Sequence, residues 1–137
     1  MNEATSDQIQ DVSEAEVEYA MERCVVDHTR FPAARRCLAR DVIRALLLAG
    51  LSTWDRNNHG LGHAGAALSA RPDGTVAVLW MQHPAVDQAV PREVRATQQG
   101  AIYRALRTIL EVHGFRLRDP GPEQAPILLG GAAMGES

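Results

Sequence analysis

The stretch at residues 71–81, RPDGTVAVLWM, constrains the fold of this chain more than any other. Its Pro-Asp-Gly at 72–74 is typical of a tight turn, because proline fixes φ early in a turn and glycine accepts the positive φ at its end. Residues 75–81 place apolar side chains on both faces of a strand, which is typical of the interior of a sheet. Residues 65–70 are long enough to be its hairpin partner. We therefore expect a central strand entered by a hairpin, with helical patterns before and after it in sequence that could shield its two faces.

Two helical patterns precede this hairpin. Residues 13–16 have the spacing of a capping box, and apolar residues recur at helical intervals to His28, so a first helix is predicted over 14–28. A second helix is expected to begin near Pro32 and to end at Gly50 in a left-handed cap. The apolar zone of this second helix widens near its C-terminal end, at Ile43, Leu47 and Leu48.

A third, longer helix is predicted from Pro91 to Gly114, and two short strands flank the helical regions. Residues 51–54 form a candidate strand after the second helix, and residues 115–118 alternate like an edge strand. The predicted fold class is α+β. We expect a small domain with two N-terminal helices, a three- to four-stranded antiparallel sheet, a long third helix on one face and an extended C-terminal tail.

The domain organisation follows from local composition. Residues 1–12 are acidic and lack periodicity, which predicts a disordered lead. Residues 13–118 are long enough for one α+β domain. Residues 119–137 are rich in proline and glycine and are expected to form an extended tail, with residues 127–129 docking on the body.

Composition narrows the function class only modestly. The hydrophobic fraction is 45% and the charged fraction 23%, as in ordinary soluble domains, and no run approaches the roughly 18 to 20 apolar residues of a membrane span. The acidic, polar N-terminal sequence is unlike a secretory signal, and Cys24 and Cys37 lie in helical patterns, so we expect a cytoplasmic protein without a membrane partner. All 14 basic residues are arginine, which indicates either a GC-rich genome or recognition by guanidinium groups.

The loop at residues 55–63 is the nearest approach to a chemical site. Its candidate site residues are Asp55, Asn57, Asn58, His59 and His63. The two histidines are four apart, a metal-ligand spacing on a helix, but the glycines between them disfavour a helix. Cysteines 24 and 37 could complete a zinc site with His28 and these histidines if the segments met, although the paired Cys-x2-Cys spacing is absent. No catalytic residue, metal or cofactor is therefore assigned, and a small enzyme or metal-binding protein using this loop is the third hypothesis.

Arginines recur on the second and third predicted helices. They could follow a phosphate backbone, or they could be an ordinary solvated face with acids nearby. The set is Arg36, Arg40, Arg44, Arg104 and Arg107. A regulator that binds nucleic acid through these arginine faces is the second hypothesis.

The leading hypothesis is a non-enzymatic protein-interaction or regulatory module that associates with itself as a homodimer. It depends on more apolar helix surface than a small sheet can cover, together with an edge-strand candidate. Association is expected either by sheet-edge pairing or by helix packing. The predicted interaction surface consists of Ile43, Leu47, Leu48, Phe115 and Leu117.

Overall fold

Four helices and a four-stranded sheet make up the computed structural model, which describes residues 12–26, 31–57, 64–118 and 124–130. The helices are α1 (Glu14–Cys24), α2 (Arg36–Leu48), the short α3 (Val86–Ala89) and the long α4 (Arg92–Val112). The strands are β1 (Gly65–Ala70), β2 (Val76–Met81), β3 (Arg116–Arg118) and β4 (Ile127–Gly130). The strand order is β1-β2-β4-β3 with every neighbouring pair antiparallel, which confirms the predicted α+β class.

Helix α1 begins at the predicted capping box. The Ser13 hydroxyl accepts from the Glu16 N–H at 3.1 Å, and the Glu16 carboxylate accepts from the Ser13 N–H at 3.2 Å. The helix ends at Cys24, so its predicted extension through Val25 is wrong. Val25 is extended and forms an isolated parallel bridge to Leu68 of β1, which competes with another helical turn. His28 lies outside the described residues.

Both predicted glycine caps are present. Gly50 has φ 86° and donates to the carbonyl of Leu47 at 3.0 Å, while the following N–H bonds back to Leu46. Gly114 has φ 90° and ends α4 in the same way. Each cap turns the chain out of a helix and satisfies carbonyl groups that the helix leaves unpaired. A short 3-10 turn, Ala33–Arg35, leads into α2.

Strand β2 is internal, as predicted. The Arg71 N–H donates to the Thr75 carbonyl at 2.8 Å and closes the hairpin turn that leads into β2. Gly74, inside this turn, has φ 85°. The outer edge of β1 is covered in part by residues 51–54, which were predicted as a strand and form a single parallel bridge from Thr53 to Ala66. Both edges of the β1–β2 hairpin therefore meet another backbone segment over part of their length.

Strand β4 corrects the predicted boundary at residue 118. The sequence predicts docking of 127–129 as part of a tail, whereas these residues form a strand between β2 and β3. Ile127 pairs with Ala77 on one side and with Arg118 on the other. The folded domain therefore extends to Gly130. The predictions for residues 1–11, 119–123 and 131–137 lie outside the described residues.

A single core lies between the helices and one face of the sheet. Its largest fully buried side chains are Met21, Ile43, Leu46, Leu68, Leu106, Leu110 and Leu128. Buried Ala67, Ala77 and Ile127 belong to the opposite face and lie outside this cluster. The described helices therefore pack on one face of the sheet only. This agrees with the prediction for the third helix, but not with the expectation that helices could shield both faces. Of the helices in the described ranges, none is long and apolar enough to cross a membrane.

Candidate interaction surface

Helices α1 and α2 form a hollow of about 350 Å³ on the outer side of the molecule. It is lined by Ala15, Glu16, Tyr19, Ala20, Leu47 and Thr53. We call this hollow the α1–α2 groove. Ala15 and Ala20 contribute small side chains to the groove, and Leu47 contributes apolar surface from α2. The groove is therefore an open hollow lined mainly by small and apolar side chains.

Tyr19 stands beside this groove as a large exposed aromatic side chain. Its exposed fraction is 58%. The guanidinium carbon of Arg23 lies 3.6 Å from the ring centroid, and Arg23 also donates to the Tyr19 carbonyl at 3.0 Å. This cation–π contact restrains the ring from one side. Tyr19 is thus a restrained projection adjacent to a hollow on the same patch.

The predicted interaction residues are divided between the surface and the core. Leu47 is half-buried in the groove, and Leu48 next to it is 46% exposed. Ile43 has no exposed surface and Phe115 is 7% exposed, so both are core residues that a partner cannot reach. Leu117 is half-buried against the core, on the edge strand β3. The most accessible part of the predicted surface is therefore Leu48 at the end of α2.

The arginine faces are largely occupied by nearby acids. Arg40 forms an ion pair with Glu18, and Arg44 forms one with Glu14, so both arginines join α2 to α1. Arg107 lies 3.9 Å from Glu111 on its own helix. Arg36 is half-buried at the start of α2, and Arg104 is exposed on α4. The paired acids lower the net charge that these faces could offer to phosphates.

Only the first part of the loop at 55–63 is described. The Asp55 carboxylate accepts from the Asn57 N–H at 3.0 Å and lies 3.9 Å from Arg23, which gives it a structural role at the turn. Asn58, His59 and His63 lie outside the described residues. Within the described ranges, no group of three or more histidine, cysteine or acidic side chains is placed to hold a metal ion.

The two cysteines have different environments. Both are free thiols; Cys37 is exposed and Cys24 is buried. Burial raises the pKa of Cys24 to about 12, and nearby Arg56 offsets only part of that effect. Cys24 is therefore a small side chain of the core at the end of α1, and its raised pKa disfavours the nucleophilic thiolate form.

A polar cluster that sequence reasoning missed lies where β2 ends against α4. Gln99 Nε2 donates to the Trp80 carbonyl at 2.9 Å and to the Tyr103 hydroxyl at 2.8 Å. The Gln99 carbonyl oxygen accepts from the side chain of Gln82. The i, i+4 spacing of Gln99 and Tyr103 shows that they share a helix face, but only the packing shows that this face meets a strand.

Two adjoining hollows of about 370 and 410 Å³ lie beside this cluster and share Gln82, His83 and Val86. His83 Nδ1 accepts from the Ala85 N–H at 3.0 Å. On one side Arg95 and Asp87 form an ion pair at 2.9 Å. The His83 contact stabilises the local turn, and the Arg95–Asp87 ion pair joins α3 to α4, so the arrangement supports a structural role better than a chemical one.

Comparison with protein-family models, with curated proteins and with solved structures gives no match. The function is therefore argued from the chemistry and geometry of the chain itself.

Proposed function

We propose that this protein is a non-enzymatic interaction module that forms a homodimer through the α1–α2 groove. The observation that carries the proposal is the 58% exposure of Tyr19 beside a hollow lined by small and apolar side chains. In a two-fold interface each copy presents the same patch, so the patch must be complementary to itself. A projection next to a hollow meets that requirement, because Tyr19 of each copy can enter the groove of the other.

The charge distribution on α1 and α2 also supports self-association through the α1–α2 groove. Arg40 and Arg44 are paired with Glu18 and Glu14, so the side of the two helices that carries them is close to neutral. A second copy can therefore approach without bringing rows of like charge together. Since these pairs also reduce the attraction for phosphates, self-association is preferred here to binding of nucleic acid. The free thiols of Cys24 and Cys37 are typical of a reducing compartment, and a cytoplasmic location is part of this proposal.

Sedimentation equilibrium on the full chain tests the proposal. We expect a dimer at tens of micromolar. Tyr19→Glu should shift it toward monomer because it removes the aromatic projection, and Leu48→Glu should do so because it places a carboxylate at an apolar contact beside the groove. Both positions are well exposed, so the variants should keep the wild-type circular dichroism spectrum.

The matched control is Val112→Glu, which makes the same kind of change at a side chain that is 76% exposed on α4 and outside the groove. It should sediment like the wild-type protein. A wild-type monomer at these concentrations would contradict the proposal, and so would dimers of unchanged strength in both Tyr19→Glu and Leu48→Glu.

A further inference from the structure

Strand β2 loses its partner on one side before it ends. Strand β1 accompanies β2 along its whole length, from Val76 to Met81. On the other side, β4 pairs at Val76 and Ala77, and the last backbone bond runs from the Val78 N–H to the Pro126 carbonyl at 2.9 Å. In the described part of the chain, no strand pairs with this side of β2 beyond Val78. Such an edge presents N–H and carbonyl groups that can pair with another chain.

The next pairing groups on this edge belong to Trp80. Successive residues of a strand alternate in direction, so the backbone groups of Trp80 point to the same side as those of Val78. The Trp80 carbonyl accepts from Gln99 Nε2 at 2.9 Å, and the Trp80 N–H points at the Tyr103 hydroxyl at 3.5 Å. The Gln99 amide thus serves as a donor to the Trp80 carbonyl, and the Tyr103 hydroxyl serves as an acceptor for the Trp80 N–H. A paired strand would offer the same two groups.

The two side chains are themselves fixed. Gln99 uses its second N–H on the Tyr103 hydroxyl at 2.8 Å, and its carbonyl oxygen accepts from Gln82. All three groups of the Gln99 carboxamide are therefore engaged, and its orientation is determined by the network. Gln82, Gln99, Tyr103 and Trp80 are all half-buried, so loss of either helix side chain would leave backbone groups poorly solvated.

We propose that Gln99 and Tyr103 substitute for a paired strand and keep a second copy of this chain from adding to the edge of β2. A hollow of about 410 Å³ is lined in part by Trp80, Gln82 and Ile102, so there is open space next to this end of β2. Without the two polar groups, the least costly way to satisfy the Trp80 backbone is antiparallel pairing with the same edge of another copy. This role of Gln99 and Tyr103 does not depend on the dimer proposed for the α1–α2 groove.

The test is the double variant Gln99→Leu, Tyr103→Phe, which keeps side-chain size and removes the hydrogen-bonding groups. We expect its weight-average mass in sedimentation to be about twofold above wild type at the same concentration. The control is Thr108→Leu, which adds the same apolar side chain at an exposed position of the same helix away from the hollow and should leave the mass unchanged. Repeating the comparison in a Tyr19→Glu background separates this association from that proposed for the groove.

A second measurement, amide hydrogen exchange in a single variant, tests the proposal even if the double variant folds poorly. In the single variant Tyr103→Phe, the Trp80 amide should exchange faster than in wild type in dilute solution, while the Val78 amide, bonded to Pro126, should not change. A folded double variant with wild-type mass would overturn the proposal, as would an unchanged Trp80 exchange rate in Tyr103→Phe.

Discussion

At the scale of single residues, Gly65 lies closer to its neighbours than a residue with a side chain could. A Cβ at this position would lie 2.5 Å from the Thr53 carbonyl carbon and 2.6 Å from the Trp54 nitrogen. Both are backbone atoms, and they are held by hydrogen bonds between residues 52–54 and Ala66, at 2.8 and 3.0 Å. They cannot move aside without loss of those bonds. The closure of the outer edge of β1 therefore depends on a residue without a side chain.

Gly65→Ala should lower the free energy of unfolding by about 1–3 kcal/mol, the usual cost of overpacking. Denaturation in urea measures it. Gly50 offers a matched comparison, because it has φ 86° but nothing within 4 Å of an added Cβ. Gly50→Ala should cost only the backbone strain of about 1–2 kcal/mol, and Gly50→Asn should recover part of it. Gly65→Asn should recover nothing; wild-type stability in either Gly65 variant would contradict the placement of residues 52–54.

Asp73 is a second residue whose effect can be isolated. Its carboxylate accepts from the Thr75 hydroxyl at 2.5 Å, from Arg118 at 2.9 Å and from the Thr75 N–H at 3.1 Å. These contacts, the Thr75 hydroxyl first, hold the pKa of Asp73 well below its usual range. One exposed side chain thus connects the β1–β2 turn to β3 at the far edge of the sheet.

The sign of the resulting pH dependence follows from the lowered pKa. The stabilising effect is fully present above the unfolded value of about 3.9 and is lost as the pH falls below it. The urea midpoint of the wild-type protein should therefore fall more between about pH 5 and about pH 2.5 than that of Asp73→Asn. Asp41→Asn, at an exposed carboxylate on α2, should keep the wild-type slope. Equal slopes for wild type and Asp73→Asn would show that these contacts do not persist in solution.

At the scale of elements, local chemistry could be predicted and distant pairing could not. The capping box at Ser13, the glycine caps at Gly50 and Gly114 and the turn at 72–74 each depend on a few adjacent residues, so the sequence was sufficient for them. The position of β4 depends on its pairing with strands far away in sequence. Because proline and glycine are frequent on both sides of residues 127–130, the sequence there is typical of an extended tail. The α1–α2 groove was partly anticipated through Leu47, but Tyr19 was missed because its position depends on how two helices pack.

Strand β4 also provides a prediction at this scale. A chain that ends at Arg118 should show no cooperative thermal transition, because it loses the fully buried Leu128 and leaves both β2 and β3 without their shared neighbour. A chain that ends at Gly130 keeps every described strand and should melt near the wild-type temperature. Circular dichroism on heating compares them. A wild-type transition in the shorter chain would mean that residues 127–130 are peripheral after all.

At the scale of the whole molecule, the edges of the sheet are treated in three different ways. The outer edge of β1 is bridged by Val25 and Thr53. The end of β2 is held by Gln99 and Tyr103. The outer edge of β3 is only three residues long and carries Arg116 and Arg118. If the proposed dimer forms through the helices, these covered, occupied or short edges offer little backbone for a further copy to pair with, so we expect assembly to stop at two copies rather than continue as a fibre.

The strand order has a further consequence, for the rate of folding. Helix α1, helix α4 and the β1–β2 hairpin each form from neighbouring residues, on fast timescales. The pairing of Ala77 with Ile127 joins positions about fifty residues apart, and its loop-closure entropy must be lost before the contact stabilises anything. The β1–β2 hairpin cannot complete the core alone, since the buried Leu128 belongs to β4. We therefore expect the pairing of β4 with β2 to be the step that limits how quickly the chain reaches its native state.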